Sequence, residues 1–288
     1  ERPQKGRQRQ FFQIGVEAFG FPGPDIDLEM IFITSAIFKA LGLSDVVTLN
    51  INTIGAADDR SKYINSLVEY LQKYESDLDE DSKRRLKKNP LRILDSKNPD
   101  IQRVLFNAPS MIEQLSKNAR DEFDQICSTL TKRGIKFVIN PKLVRGLDYY
   151  SKIVFEWTTT ELGSQDAICA GGRYDGLVEQ LGGKFCEGVG FALGLERTVL
   201  LAEKLGIVPE KFLINSDVFV VCDESVWSHG ILVLEELRSK CPGLRITFNC
   251  GGGSLKSQMK RADRSGSRVA LIIGDDEMLS NSVSLKYF

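Results

Sequence analysis

The stretch LVRGLDYYSKIVFEWTTTELGSQDAICAGGRYDGL, residues 143–177, decides the fold of this chain. Residues 152–158 are rich in β-branched and aromatic side chains and predict a half-buried strand. Residues 167–170 predict a second short strand. The glycine pair that follows predicts a turn with positive φ before a helix that begins at Tyr174.

Polar side chains gather at the ends of these two predicted strands. An arginine close to several phenols suggests a pocket that holds an anion at one end and a polar ring at the other. The alternative is a hairpin whose edge residues extend their polar ends into solvent. The residues concerned are Arg145, Asp148, Tyr149, Tyr150, Arg173, Tyr174 and Asp175.

Length and composition limit the classes of protein that remain. A chain of 288 residues can bury sizeable cores and predicts two or three domains. The net charge of −1 means that any contact with nucleic acid must be local. Six cysteines without a CxxC pair and a single histidine, His229, make a metal site improbable and indicate reduced thiols in a cytoplasmic protein. No apolar run approaches the length of about 20 residues that spans a membrane.

The N-terminal residues predict a basic loop that leads into a strand. Residues 1–10 carry four basic groups and one acid. In residues 11–20, FFQIGVEAFG, apolar and other residues alternate with period two, which predicts a strand. Gln13 and Glu17 are four residues apart on this strand and therefore face the same side. The alternative for the basic residues is a solvated charge run.

The middle of the chain changes from strand-like to helical sequence. Apolar residues at helical spacing predict a helix over 25–42, followed by the strand VVTLNINTIG. Residues 56–136 are charged and helical, and they include residues 75–89, which pass from acidic to basic and could form one helix. The basic run there could contact nucleic acid or be a solvated helix face. It consists of Lys83, Arg84, Arg85, Lys87 and Lys88.

The last third of the chain predicts a glycine-rich strand and helix over 187–206, a linker, and then a small α/β domain. Strands at 217–222, 244–249 and 268–274 alternate with helices, which indicates a partly parallel sheet. The segment GGGSLKSQMKRADRSG lacks the phosphate-loop pattern but forms a basic patch that suits RNA phosphates. The basic residues of this patch are Lys256, Lys260, Arg261 and Arg264.

The segments VRGLDYY and AGGRYDGL resemble, in sequence and spacing, the two signature motifs of bacterial-type histidyl-tRNA synthetases. The resemblance implies an α/β (α+β) fold, with the antiparallel-sheet catalytic domain of the class II synthetases and a C-terminal α/β anticodon-binding domain. It implies a partial catalytic domain over 1–55 and 137–206, and a helical insertion over 56–136 that approaches the tRNA acceptor arm. A linker at 207–216 follows, and then the anticodon-binding domain at 217–288, which we expect to be incomplete at its C-terminal end.

The resemblance also implies a reaction. Histidine and ATP, the latter with Mg²⁺, give histidyl-adenylate and diphosphate, and the histidyl group then moves to the 3′ end of tRNA(His). Arg145 is implied as the main electrostatic catalyst, near the α-phosphate and the carboxylate of histidine. Arg7 and Arg197 would bind ATP. Selecting histidine requires hydrogen bonds to both imidazole nitrogens, for which Glu17 and Tyr150 are the candidates, with Tyr174 close by. Gln13 and Tyr149 would hold the amino-acid end.

The resemblance further implies that the chain begins within class II motif 2 and lacks motif 1. Motif 1 builds the homodimer interface in this family, and motif 2 supplies a second α-phosphate arginine. We therefore expect little aminoacylation from the isolated chain and poor dimerisation. Two alternatives remain, namely a synthetase-like regulatory or binding module and a generic α/β nucleotide-binding protein. The second explains neither the paired motifs nor the helical insertion.

Overall fold

The computed structural model describes residues 9–96, 98–145, 149–163, 166–209, 212 and 216–288. The chain divides into two compact units, Glu1–Ile207 and Val208–Phe288. The N-terminal unit contains the predicted catalytic sheet and the helical residues 56–136. The C-terminal unit contains the predicted small α/β domain. The division between the two units falls at the start of the predicted linker.

Six described strands form the sheet of the N-terminal unit: β1 (Gln13–Phe19), β2 (Thr48–Thr53), β3 (Phe137–Ile139), β4 (Ser151–Thr158), β5 (Ala167–Arg173) and β6 (Gly188–Gly194). Their order is β1-β6-β5-β4-β2-β3. Neighbouring strands are antiparallel except β2 and β3, which are parallel. The predicted antiparallel-sheet fold is therefore confirmed.

One face of this sheet packs against helices that include α1 (Asp25–Ala40) and α5 (Lys117–Lys132). The Trp157 indole donates a hydrogen bond to Thr34 Oγ1 at 2.9 Å and packs against Phe38, with ring centroids 5.1 Å apart. Burial of large apolar side chains of this kind contributes about 2 to 3 kcal/mol for each side chain. The other face of β1, β6, β5 and β4 is consequently the one available to a ligand.

The prediction of a turn at Gly171 and Gly172 is wrong. Strand β5 continues through both glycines to Arg173, and the next helix, α6 (Leu177–Gln180), begins three residues after Tyr174. The glycines are needed for close packing, because a Cβ on Gly171 would lie 2.6 Å from Phe155 Cζ and one on Gly172 would lie 3.0 Å from Tyr150 Cδ1. The glycine pair was interpreted as a turn, but the structure requires it because larger side chains would not fit at these two positions.

The helical region has a core of its own. Helices α2 (Ala57–Gln72), α3 (Glu80–Lys88) and α4 (Pro99–Val104) pack their apolar residues, with those of short 3₁₀ turns, against one end of the sheet. The single helix that residues 75–89 could have formed is not seen. A 3₁₀ turn at Glu75–Asp77 precedes α3, and Asp79 caps that helix by accepting a hydrogen bond from Ser82 N. Helix α7 (Leu195–Lys204) follows β6 directly.

The C-terminal unit is an α/β layer structure. Its sheet has the order β10-β9-β7-β8, in which β7 pairs parallel with both neighbours and β10 pairs antiparallel with β9. The partly parallel sheet predicted from the sequence is confirmed, whereas β10 was not predicted. The elements are β7 (Val218–Cys222), α8 (Trp227–Lys240), β8 (Ile246–Phe248), α9 (Leu255–Arg264), β9 (Val269–Ile273), α10 (Asp275–Leu279) and β10 (Ser284–Tyr287).

Candidate adenylate-forming site

Small residues form a floor across the open face of the main sheet. Gly15 of β1, Ala192 of β6, Ala170 of β5 and Glu156 of β4 are paired in one row across the four strands. A second row joins Glu17 to Gly190 and to Gly172. Because side chains alternate between faces along a strand, these residues share one side of the sheet. The floor leaves room for a flat ligand, with charged and phenolic groups at its borders.

Arg145 lies at the β4 border of this floor and forms an ion pair with Glu156. Its Nη1 donates to Glu156 Oε1 at 2.6 Å, and both side chains are about four-fifths buried, with exposures of 23% and 20%. Burial raises the pKa of the Glu156 carboxyl, and Arg145 opposes that increase. Among the described residues, nothing accepts a hydrogen bond from the buried Arg145 Nε. A buried cationic donor of this kind is suited to an incoming anion.

Three phenols and one carboxylate form a cluster that begins beside Arg145. The ring centroids of Tyr149 and Tyr150 are 4.7 Å apart, and those of Tyr150 and Tyr174 are 6.1 Å apart in an edge-on arrangement. The Tyr174 hydroxyl donates a hydrogen bond to Glu17 Oε2. Desolvation raises the pKa of Glu17. Burial raises the pKa of Tyr150 to about 12, against a lowering effect of the nearby Arg145.

Two glycines of β6 make the contact between Glu17 and Tyr174 possible. A Cβ on Gly190 would collide with the Glu17 carboxylate that crosses above it, and a Cβ on Gly188 would lie 2.5 Å from Tyr174 Cε2. Both side chains therefore lie flat over β6 and meet on the floor. The sequence analysis did not single out these glycines, although their spacing of two residues in GVGFALG would place them on one face of a strand.

Arg197 and Gln13 lie toward the other end of the floor. Arg197 Nη1 donates to the carbonyl of Ala167 at 2.5 Å, at the start of β5. Gln13 pairs with Gly194 at the start of β1 and is exposed. It shares a face with Glu17 but lies about 13 Å from it along the strand. The described site therefore runs from Arg197 past Arg145 to the phenols.

Some predicted site residues cannot be compared with the structure. Arg7 and Asp148 lie outside the described residues, as do Arg2 and Lys5 of the basic N-terminal run. Arg9 is described and exposed. The expected approach of three arginines to one ligand therefore stays a prediction. Of the three, Arg145 and Arg197 are described, and each bonds to a group of the sheet.

Arg173, expected at a strand edge, is instead fully buried. Its Nε donates to both carboxylate oxygens of Asp27, at 2.9 and 3.1 Å, and its Nη1 donates to Asp175 at 2.9 Å and to the Phe21 carbonyl at 2.8 Å. Asp27, in the first turn of α1, is also buried and pairs with this guanidinium. Removing one partner of such a pair is strongly destabilising. The cluster fixes β5 to α1 immediately before Tyr174.

The basic run of the helical region is largely paired within its own helix. Lys83 bonds to Glu80 at 3.0 Å, Arg85 to Asp81 at 2.6 Å, and Arg84 also to Asp81. Lys87 and Lys88 are exposed. These contacts favour the solvated helix face over the nucleic-acid surface that the sequence left open.

The glycine run of the C-terminal unit forms a rigid loop before α9. Gly251, Gly252 and Gly253 all have positive φ, of 85°, 63° and 99°. Gln258 donates to the Gly253 carbonyl at 2.7 Å, and Arg261 donates to Asn249 Oδ1 at 2.8 Å. Arg261 therefore holds the loop. It is exposed on α9, as are Lys256, Lys260 and Arg264.

Two site residues escaped sequence analysis because they lie inside apolar or helical patterns. Glu156 stands between Phe155 and Trp157 in a strand, and a carboxylate at that position was a usable signal. Arg60, on α2, donates to the main-chain carbonyl of Tyr150 at 2.8 Å. No sequence pattern indicates the contact between Arg60 and Tyr150. No described group of three or more His, Cys, Asp and Glu side chains is arranged to hold a metal ion.

The antiparallel sheet with its helical insertion, together with the separate α/β unit, defines a class II synthetase fold with a C-terminal anticodon-binding domain. The family model described as Histidyl-tRNA synthetase matches residues 1–198, and the model described as Anticodon binding domain matches residues 231–288. The chain therefore belongs to the histidyl-tRNA synthetase family.

Solved structures agree with this assignment. The apo histidyl-tRNA synthetase of S. aureus is 31% identical, with a TM-score of 0.73, over 97% of this chain and 68% of that chain. The histidyl-tRNA synthetase of Nostoc sp. PCC 7120 is 23% identical, with a TM-score of 0.61, over 97% of this chain and 70% of that chain. A Bacillus halodurans protein described as an ATP phosphoribosyltransferase regulatory subunit/histidyl-tRNA synthetase is 20% identical, with a TM-score of 0.55, over 94% of this chain and 69% of that chain. The last two share the fold. In the part of the chain that the structure describes, no helix has the length and apolar character needed to cross a membrane.

Proposed function

We propose that this protein is a histidine–tRNA ligase, which activates L-histidine with ATP and transfers it to the 3′ end of tRNA(His). One observation carries the proposal: a buried arginine with a free Nε donor among the described residues lies next to a phenol and carboxylate cluster, on a floor of small residues. Membership of the family supports the same reaction.

In the first step, a carboxylate oxygen of histidine attacks the α-phosphorus of ATP. A new oxygen–phosphorus bond forms while the bond from the α-phosphorus to the bridging oxygen breaks, and diphosphate leaves with that electron pair. Negative charge builds on the nonbridging oxygens in the transition state. Arg145 stabilises this charge, since its guanidinium is held by Glu156 before the substrates arrive. ATP is expected as its Mg²⁺ complex, with the metal held mainly by phosphate oxygens.

Glu17 and Tyr150 recognise the imidazole from opposite sides of Tyr174. Glu17, as a carboxylate, accepts a hydrogen bond from one ring nitrogen, and a phenol serves the other. A site that bonds both nitrogens rejects rings that lack them, because its polar groups would be left unpaired. Tyr149 and Gln13 would hold the amino-acid end, and Arg7 and Arg197 would bind ATP.

In the second step, a hydroxyl of the terminal ribose of tRNA attacks the histidyl carbonyl. The ester bond forms and AMP leaves. The C-terminal unit would bind the anticodon, and we expect the full-length protein to act as a homodimer in the cytoplasm. In this proposal the N-terminal unit activates the amino acid and the C-terminal unit recognises the anticodon of tRNA.

The test is histidine-dependent ATP–diphosphate exchange by the full-length protein. We expect exchange with L-histidine and none with phenylalanine, whose ring lacks both nitrogens. The second candidate is a regulatory module that has kept the fold without the reaction, a class suggested by the fold shared with the Bacillus halodurans protein. Absence of histidine-dependent exchange would favour that module. The intact Arg145–Glu156 pair favours the enzyme.

A further inference from the structure

Tyr150 is held from outside the substrate face by the helical region. Arg60, in the first turn of α2, donates from Nη1 to the main-chain carbonyl of Tyr150 at 2.8 Å. The two residues are 90 positions apart in sequence. A charge-assisted hydrogen bond of this kind is stronger than one between neutral groups and fixes the direction of the peptide plane.

The part of α2 from which the Arg60 side chain projects is held in place by hydrogen bonds. The neighbouring residue, Asp59, is buried and accepts hydrogen bonds from Ser116 N and Ser116 Oγ, each at 3.0 Å. Ser116 is the residue that precedes α5, so Asp59 joins the starts of α2 and α5. Arg60 therefore projects from a point where two helices are fixed to each other, rather than from a free surface turn.

The backbone after Tyr150 adopts a conformation that needs external support. Lys152 has a φ of +49°, in the left-handed region that non-glycine residues seldom occupy. A register shift between Ser151 and Val154 marks a bulge at the same point of β4. Lys152 Nζ pairs with Glu122 of α5 at 3.3 Å. Strained residues persist where the surrounding contacts hold them, and they concentrate at functional sites.

The carbonyl that Arg60 holds and the ring that faces the ligand belong to the same residue. The Tyr150 ring packs closely over Gly172 and edge-on against Tyr174, which bonds to Glu17. A displacement of the Tyr150 backbone would move its ring off Gly172 and shift the hydroxyl. A small change on α2 is thus transmitted to the place where the imidazole would bind.

We propose that Arg60 is a positioning residue for histidine recognition, which fixes Tyr150 through its carbonyl and so connects the helical region to the amino-acid pocket. This inference rests on the proposed function. Arg60 does not touch substrate, and its effect on histidine is exerted through Tyr150. The helical region then contributes to selection of the amino acid, in addition to any contact with tRNA.

The experiment measures histidine-dependent ATP–diphosphate exchange in Arg60→Met and Arg60→Lys, varying histidine and ATP separately. Arg60→Met should raise KM for histidine about tenfold or more, with little change in KM for ATP. Arg60→Lys keeps a cationic donor and should restore part of the affinity. Lys62→Met, at an exposed position two residues further along α2, is the matched control and should behave as the unaltered protein. Equal increases in both KM values, or a fall in thermal stability without a change in KM for histidine, would overturn the proposal.

A double-mutant cycle separates positioning from general damage. In a Tyr150→Phe background, Arg60→Met should add little to KM for histidine, because both changes act on the same contact. Fully additive effects would contradict action through Tyr150. Calorimetry of histidine binding provides the same comparison without turnover. If the unaltered protein catalyses exchange and the Arg60 variants have the same KM for histidine, this inference alone is contradicted. If the unaltered protein does not bind histidine, the proposed function is contradicted as well.

Discussion

Arg145 connects the two halves of the candidate site. Its guanidinium bonds to Glu156 and lies close enough to Tyr150 to lower the pKa of that phenol. Its pairing with Glu156 uses Nη1, and Nε has no hydrogen-bond partner among the described residues. A guanidinium stays charged at all physiological pH values, which suits a group that must meet two anions at once.

Arg145→Ala is expected to lower kcat for ATP–diphosphate exchange by about 10² to 10³, the usual cost of removing one stabilising donor from a transition state. Histidine affinity, measured by calorimetry, should change far less, since the ring is held by Glu17 and the phenols. Arg103→Ala is the control, because Arg103 is 81% exposed and pairs with the neighbouring Asp100 on the same short helix. Similar losses of kcat and histidine affinity would contradict a role in the transition state.

We expect the Glu17 carboxylate to lower the stability of the folded protein while it contributes to histidine binding. Desolvation raises its folded pKa above the ordinary value for a glutamate. Where the folded pKa is raised, stability is fully present below the unfolded pKa and is lost as pH increases through the folded pKa. Glu17→Gln removes that pH-dependent decrease, so its melting temperature should exceed that of the unaltered protein at about pH 8 and approach it at about pH 4.

The same substitution should weaken histidine binding, because a neutral amide accepts a hydrogen bond less strongly than a carboxylate. Glu29→Gln, at an exposed position of α1, is the control for both measurements and should change neither. A Glu17→Gln protein that is less stable at neutral pH, or that binds histidine normally, would remove Glu17 from the site. Gain in stability with loss of binding is the signature expected of a functional carboxylate.

At the scale of the strands, glycine spacing determines whether the site can close. Gly188→Ala would place a Cβ 2.5 Å from Tyr174 Cε2 and 3.4 Å from Phe19 Cε1. The Tyr174 ring must then move away from Glu17. We expect a decrease of about 1 to 3 kcal/mol in the free energy of unfolding and a higher KM for histidine. Denaturant unfolding and exchange kinetics measure the two effects.

Gly243→Ala is the control for that change. Its position in the C-terminal unit has open space, with no heavy atom within 4 Å of the added Cβ. It should leave KM for histidine unchanged and the free energy of unfolding unchanged or slightly higher. If Gly188→Ala behaves in the same way, the Tyr174 ring is not constrained by β6.

The sequence predicted the elements whose signal is local. The helix expected over 25–42 is α1, and the strand expected over 152–158 is β4, because apolar periodicity reports directly on which side of an element is buried. The short strand β3 has only three residues and pairs with β2, from which it is separated in sequence by the helical residues 56–136. Its formation depends on the rest of the sheet, so a local pattern could not indicate it.

The candidate site residues that belong to sequence motifs could be predicted, whereas those placed by tertiary packing could not. The motif resemblance named Arg145, Tyr150 and Tyr174, which the structure brings together. Glu156 and Arg60 act through contacts with residues 11 and 90 positions away, and neither has a motif of its own. Distant pairing of this kind is decided by the tertiary fold, after the local patterns have been satisfied.

At the scale of the whole molecule, the proposed function assigns separate tasks to the two compact units. The N-terminal unit carries every described residue of the candidate adenylate-forming site, and the C-terminal unit carries the exposed basic residues of α9. Exchange of diphosphate requires no tRNA, whereas transfer does. Changes on α9 should consequently alter only reactions in which tRNA takes part.

The double substitution Lys256→Gln and Lys260→Gln tests this division. Both side chains are exposed on α9, next to a glycine loop that Arg261 and Gln258 hold rigid. Affinity for tRNA(His) should fall, and the log–log slope of binding against salt should become shallower by about 1 for each phosphate that a lysine no longer neutralises. Histidine-dependent exchange should stay unchanged. Lys240→Gln is the control, because Lys240 pairs with Glu236 at 2.6 Å on α8. Since weaker phosphate neutralisation and a disturbed fold differ in their salt dependence, a lower affinity with an unchanged slope would assign these lysines to structure instead of RNA binding.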